Sequence, residues 1–118
     1  MPAITTSKLY LFEIISNFVS NAIKYTESGS VTVKLSSNNQ RNLIVSVKDT
    51  GIGLSKNDKQ HIFDKYWRSE DYRTRKNGGM GLGLYVTKKL IDKIGGSIEV
   101  NSGLNKGSEF ILTVKGLN

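Results

Sequence analysis

Glu13, Asn17, Asn21 and Lys24 recur at spacings of four, four and three, which on a helix puts them in one polar stripe along a single side. Asparagine is a poor helix former because its amide competes for backbone hydrogen bonds, so two in register lower stability unless the amides are used. A solvated face is one reading of the stripe, although Lys or Glu would serve that purpose better. Ligand duty is the other: an amide oxygen is a neutral, hard donor suited to a Mg²⁺ ion that meets most of its charge with phosphates and keeps its waters. A second set, Asp49-Thr50-Gly51-Ile52-Gly53-Leu54, places a carboxylate ahead of two spaced glycines. In a closed pocket that carboxylate accepts from the exocyclic amino group of adenine and repels the carbonyl of guanine. As plain structure it is a glycine turn with an Asp cap. A third set, Gly78-Gly79-Met80-Gly81-Leu82-Gly83-Leu84, runs four glycines into an apolar-periodic segment. The start of a helix presents unpaired N–H groups and the positive end of its dipole, and residues without Cβ let phosphate approach them. A flexible glycine hinge has the same composition, so this stretch decides nothing alone.

The elements that must position these residues follow from periodicity. Ser7 to Tyr25 is expected as an amphipathic helix with Leu11, Ile15, Phe18 and Ala22 inward and Ile14, Val19 and Ile23 widening that face. Val31 to Leu35 alternates as a half-buried strand, and Leu43 to Lys48 follows after a short polar loop, so the two predict an antiparallel hairpin with Asp49 at its end. Lys56 to Trp67 reads as a short mixed helix carrying Ile62, Phe63, Tyr66 and Trp67. Arg68 to Asn77 is a polar loop long enough to predict a lid. The glycine-opened helix carries Leu82, Val86, Leu90 and Ile94 and stops at Gly95-Gly96. Ser97 to Asn101 and Glu109 to Lys115 are the last two strands, with Ile98, Val100, Phe110, Leu112 and Val114 inward. The expected architecture is an α/β two-layer sandwich: a mixed, mostly antiparallel sheet covered on one face by about three helices.

Length and charge bound the partners. The 118 residues fit a single domain spanning 1–118. No apolar run is long enough to cross a bilayer, and the first residues lack the basic and apolar regions of a signal peptide. Zero cysteines exclude disulfides and thiolate zinc sites and suit a reducing compartment. A net charge of +7 favours anionic partners, among which a charge count does not separate nucleic acid, anionic lipid and nucleotide.

The order of the motifs separates them. From end to end the chain resembles the catalytic and ATP-binding domain of sensor histidine kinases, members of the Bergerat-fold ATPase superfamily. ISNFVSNAIKYT looks like the N box, DTGIGL the first glycine box, IFDKYWR the aromatic box, GGMGLGLYVTKKLIDKIGG the second glycine box, and GSEF the motif leading the last strand. One such box is weak evidence, whereas five in order are strong. The resemblance implies that Asn21 ligates Mg²⁺, that Asn17 and Lys24 face the phosphates, and that Tyr25 lies beside ribose and base. It implies further that Asp49 reads the adenine amino group and that Gly51, Ile52 and Gly53 shape the base pocket. Gly79, Gly81 and Gly83, with Leu82 and Leu84 between and after them, would admit the phosphates of ATP, and Arg68 would approach the terminal one. Met80 falls in the same nucleotide-binding set by this resemblance, although it departs from the small or hydroxylated residue common at its position.

Asn17 also separates the branches, because the hydrolytic relatives resembled here hold a glutamate at that position and an amide cannot take a proton from water. Glu13, one turn earlier, is the remaining carboxylate that could polarise an incoming group. The resemblance implies phosphoryl transfer from Mg·ATP to a histidine on a separate dimerisation and phosphoacceptor hairpin, absent from this sequence. Further implications are a homodimer in the full-length protein and a response-regulator receiver domain downstream. Neither nucleic acid nor direct membrane contact is expected of this domain. The expected compartment is the cytoplasm, whether or not the parent protein is anchored in a membrane. The alternative is a catalytically silent nucleotide-sensing module of the same fold. His61, the only histidine, is read as a surface or packing residue.

Overall fold

A computed structural model of the chain describes residues 8–65 and 81–115, with the side chains of 81–83 outside that description. The order is α1 (Lys8–Lys24), β1 (Val31–Ser37), β2 (Leu43–Asp49), α2 (Lys56–His61), α3 (Gly81–Lys93), β3 (Ser97–Ser102) and β4 (Ser108–Val114). The four strands form one sheet in the order β1-β2-β4-β3. Every ladder among the described residues is antiparallel, so the mixed component expected from sequence does not occur there. The alternation that predicts β2 and β4 is strict: Leu43, Val45, Val47 and Asp49 on β2, and Ser108, Phe110, Leu112 and Val114 on β4, all face inward. In register Val47 pairs with Phe110 and Val45 with Leu112, which makes these two central strands the floor of the core. Ile98 and Val100 of β3 pair with Leu112 and Phe110 and pack on the same side.

Helices α1 and α3 cover that floor. On α1 the buried residues are Ile14, Phe18 and Ala22, a four-residue repeat, with Leu11, Ile15 and Val19 packed beside them. Ile14 is therefore central to the face, and Ile23 is 62% exposed. On α3 the buried side chains are Leu84, Thr87 and Ile91, whereas Val86 is exposed. On α3 the physical reason is pitch: the run Leu82, Val86, Leu90 and Ile94, spaced by four, drifts around a helix of 3.6 residues per turn, and the fully buried residues follow steps of three and four. Helix α2 ends at His61, short of the expected Trp67, with Ile62 as its C-cap and fully buried. Its N-cap is Ser55, whose hydroxyl accepts from the Asp58 N–H at 3.0 Å. The expected stop at Gly95-Gly96 is present: Gly95 takes a positive φ of 69°, and the Gly96 N–H reaches the Ile91 carbonyl at 2.9 Å.

Among the described residues no helix is long and apolar enough to cross a membrane. Burial ranks the core energetically. Leu112→Ala, at a site with 0% exposure, is expected to lower unfolding free energy by about 2–5 kcal/mol, against roughly 0.5 kcal/mol or less for Leu35→Ala on β1, which is 54% exposed. Urea unfolding of the two variants checks the contrast.

Candidate functional site

β2 delivers Asp49 to the edge of the helix layer, where the residue is only 6% exposed. Its Oδ1 accepts the Gly51 N–H at 2.9 Å. Burial pushes the carboxyl above its ordinary range, while the N–H groups of Gly51 and Ser108 and the Thr26 hydroxyl pull it back down. Beside it, at the end of α1, Tyr25 is buried, and its phenol is pushed up to about 12 by that burial and then by the charge of Asp58, so the ring stays neutral. These two groups and Asn21 line a small cleft that is partly open to solvent. Ala22 of α1, Gly53 and Leu54 after β2, Leu84 of α3, and Ser108 and Phe110 of β4 complete its walls. The Phe110 ring is itself braced by Phe18, with centroids 5.1 Å apart. Apolar walls with few converging polar groups are what a planar heteroaromatic ligand with one donor edge requires.

The turn after β2 is held by close backbone approaches. At Gly51 a Cβ would stand 2.2 Å from the Tyr25 carbonyl oxygen, and at Gly53, whose φ is +70°, one would stand 1.9 Å from the Gly103 carbonyl oxygen. Neither position admits a side chain. The Ile52 N–H donates to the Tyr25 carbonyl at 3.2 Å, and the Ile52 carbonyl accepts from Asn105 N–H at 2.7 Å, so the turn bridges the end of α1 and the β3–β4 loop. Ser102 closes the other side: its hydroxyl accepts from Leu54 N–H at 2.8 Å, donates to the Gly107 carbonyl at 3.0 Å, and lies 2.7 Å from the Ser108 hydroxyl.

Of the residues expected from sequence, the structure gathers Asn21, Tyr25, Asp49, Gly53 and Leu84 at one cleft, with Gly51 and Ile52 forming the turn beneath. Asn17 does not line the cleft; its Nδ2 donates to the Thr87 Oγ1 at 2.9 Å and ties α1 to α3. Glu13 and Lys24 are exposed on α1. Gly81, Leu82 and Gly83 form the first turn of α3. Arg68, Gly79, Met80 and the expected lid from Arg68 to Asn77 lie outside the described residues. His61 sits at the end of α2 with Nδ1 2.7 Å from Asp64 Oδ2. Sequence reasoning missed Thr87 and Ser102, hydroxyl residues with partners remote along the chain, and Thr26, whose hydroxyl is buried without a hydrogen-bond partner. The GSEF motif was the one available signal for Ser108.

This arrangement, one helix layer over an antiparallel sheet with a partly apolar cleft between α1, α3 and the sheet end, defines a two-layer α/β ligand-binding domain. The chain belongs to the family of histidine kinase-, DNA gyrase B- and HSP90-like ATPases, whose model matches residues 6–117. It is 38% identical over 117 residues to the sensor protein GacS of Pseudomonas syringae pv. syringae, covering 96% of this chain and 13% of GacS. It is 42% identical over 103 residues to the sensor histidine kinase RppB of Synechocystis sp., covering 86% of this chain and 22% of RppB. The chain therefore spans less than a quarter of either relative. Among solved structures it resembles full-length ShkA in complex with AMPPNP, with a TM-score of 0.84 and 30% identity, over all of this chain and 24% of that one.

The Ser102 clasp carries its own expectation. Ser102→Ala strands the Leu54 N–H and removes a bond to Gly107, which should lower stability by about 1–3 kcal/mol. Hydrogen exchange at the Leu54 amide should quicken by more than the global change explains, and a uniform change across the chain would show that Ser102 holds no local clasp.

Proposed function

We propose that this chain binds Mg·ATP in the cleft and acts as the catalytic domain of a sensor histidine kinase, transferring the γ-phosphoryl group to a histidine on a separate helical hairpin. The observation that carries the reading is Asp49, a buried, hydrogen-bonded carboxyl at the foot of a cleft roofed by α1 and the start of α3. A nucleobase exocyclic amino group is the donor that such an acceptor fits, and a purine carrying a carbonyl there would meet two acceptors facing each other. The AMPPNP in the ShkA complex supports a nucleoside triphosphate as the ligand class.

Among the described residues no group of three His, Cys, Asp or Glu side chains could hold a metal by themselves. The donor set instead fits an ion that arrives with phosphate: Asn21, on the cleft wall, offers one amide oxygen, leaving the remaining positions to phosphate oxygens and water. The chemistry that a Mg²⁺ held there would supply is neutralisation of negative charge on the phosphates. This chain's residues do the remaining work of positioning. Asp49 and Phe110 orient the base, neutral Tyr25 closes the wall, Asn21 fixes the phosphate end, and Lys24 and Arg68 are the cations proposed to meet the phosphates.

Asn17 has no proton affinity at neutral pH, and its amide N–H is committed to Thr87, so nothing at that position activates water. Glu13 is exposed one turn away along α1 and is proposed only to polarise an incoming nucleophile. Slow hydrolysis suits a domain that waits for a protein nucleophile, since phosphoryl transfer depends mostly on alignment and charge neutralisation. The acceptor hairpin, a dimeric parent and a downstream receiver domain are the partners this reading assigns.

Calorimetry should find ATP and ADP binding well above GTP. Asp49→Asn should weaken ATP by roughly 10- to 100-fold, the equivalent of the ~1.5–3 kcal/mol a hydrogen bond to a charged group is worth. Equal affinities for ATP and GTP would sink the assignment. Asn21→Ala should weaken ATP strongly with Mg²⁺ and little in EDTA; an equal loss in both would make Asn21 structural.

With radiolabelled ATP the chain should label a histidine on a supplied acceptor hairpin and leave itself unlabelled. His61→Gln should leave that transfer unchanged, because the imidazole is already partnered by Asp64. Acid-labile label on His61, or rapid phosphate release without acceptor, would contradict the reading.

A further inference from the structure

Helices α1 and α3 meet through a buried apolar cluster with a polar pair in its midst. Ile14 and Phe18 of α1 and Leu84 and Ile91 of α3 all belong to that cluster. Thr87 stands among them with 0% exposure, and its Oγ1 accepts the Asn17 Nδ2–H at 2.9 Å. A valine would fill nearly the same space with no hydroxyl to satisfy, so packing alone does not explain the threonine. The place of the pair along the seam suggests what it does. The two helices run antiparallel: Lys93, at the end of α3, lies over the ring of Tyr10 near the start of α1, with Nζ 5.8 Å from the centroid. Toward the other end, Asn21 lies about one turn beyond Asn17 on α1, and Leu84 lies about one turn before Thr87 on α3. Asn21 and Leu84 both line the cleft, whereas Asn17 and Thr87 do not. The hydrogen bond therefore crosses the seam one turn behind the two helical walls of the cleft.

We propose that Thr87 is a positioning residue for the cleft: by taking the Asn17 N–H it holds α1 and α3 at the register that sets the gap between Asn21 and Leu84. The consequence for binding rests on the nucleotide reading given above, in which Asn21 meets the metal and phosphate end, but the register itself does not. Burial of apolar surface is non-directional, so Ile14, Phe18, Leu84 and Ile91 favour contact between the helices without choosing one alignment. The hydrogen bond does choose, because it forms only within a narrow range of distance and angle, and a slip would leave the Asn17 N–H without its partner against a buried seam. A single buried polar pair fixes register between coiled-coil helices in the same way, at a cost in stability. Thr87 lies off the cleft wall, so it acts through Asn21 and not by touching a ligand.

The chain has no cysteine, so spin labels on Ser20→Cys of α1 and Val86→Cys of α3, both exposed positions, report the helix separation without background. In the full chain without nucleotide, Thr87→Val should shift or broaden the distance distribution between the labels, while Thr87→Ser should keep that of the wild type. In parallel, Mg·ATP affinity in calorimetry should fall by about 5- to 10-fold in Thr87→Val, the worth of one hydrogen bond, and return in Thr87→Ser. That loss should be small in EDTA, and small again in an Asn21→Ala background, because Thr87 acts through that amide. Ile91→Val, fully buried about one turn further along α3, should lower Tm and leave both distance and affinity unchanged. An unchanged distance distribution in Thr87→Val, even with a lower Tm, would overturn the proposal and leave Thr87 a packing residue. A changed distribution with wild-type Mg·ATP affinity, or a full loss of affinity in the Asn21→Ala background, would overturn it too. Should the valine variant not fold, Thr87→Ala is compared with Thr87→Ser with the same outcomes. A distribution that changes in a chain binding no nucleotide would uphold the register and overturn the nucleotide reading instead.

Discussion

A carboxyl group buried at the end of a central strand constrains everything around it. Asp49 could reach a stable, charged state by moving to solvent, and the fold prevents this by continuing the β2 ladder through it, in register with Val31 and Ser108. Once there it must be met by donors, because an uncompensated buried charge is among the most expensive features a small domain can hold. The donors come from the turn it precedes, where the Gly51 N–H reaches Oδ1 at 2.9 Å, and from the neighbouring strand β4. Fold and site are thus one problem, since the end of the sheet and the turn that follows it must meet at a single side chain.

The two loops that meet there show how little slack is left. The turn after Asp49 and the loop between β3 and β4 approach backbone to backbone at Gly53 and Gly103, and Ser102 satisfies groups from both. Such a clasp gives up side-chain packing, which glycines cannot supply, and replaces it with hydrogen bonds that tolerate only small displacements. A turn held by its own backbone in the free chain has little left to order when a ligand arrives. Pre-organisation at this end of the cleft is therefore a property of the backbone more than of the side chains on its walls.

Much of this was legible in the residues. The four-residue recurrence of Asn17 and Asn21, the Asp49 glycine turn and the alternation in β2 and β4 are local patterns, and each element they predict is present. What was not legible depends on pairs far apart in sequence. Thr26, Thr87 and Ser102 look like ordinary polar residues until Asn17 is found beside Thr87 and Leu54 beside Ser102. On α3 Thr87 is fully buried and Val86 is exposed, an order that hydropathy alone reverses. The basic balance was ambiguous as a number. In the fold Lys88 pairs with Asp92 at 2.6 Å, Lys65 and Lys89 flank the Tyr85 ring, and Lys93 lies over Tyr10. These lysines are held in local contacts along α3 and its neighbours.

The contact between Asn17 and Thr87 ties together the two helices that frame the cleft. Apolar side chains on packed helices exchange neighbours with small changes in buried area, so they resist sliding only weakly over short distances. An N–H to hydroxyl bond of 2.9 Å is lost within about an ångström of displacement, and in a buried setting its loss leaves unsatisfied groups. Asn21 lies one turn beyond Asn17 on α1 and Tyr25 follows the end of that helix, while α3 begins less than two turns before Thr87, so this pair lies between the amide stripe and the first turn of α3. Asn17 thus has a mechanical task in this structure: one N–H of its amide is spent on tying α1 to α3.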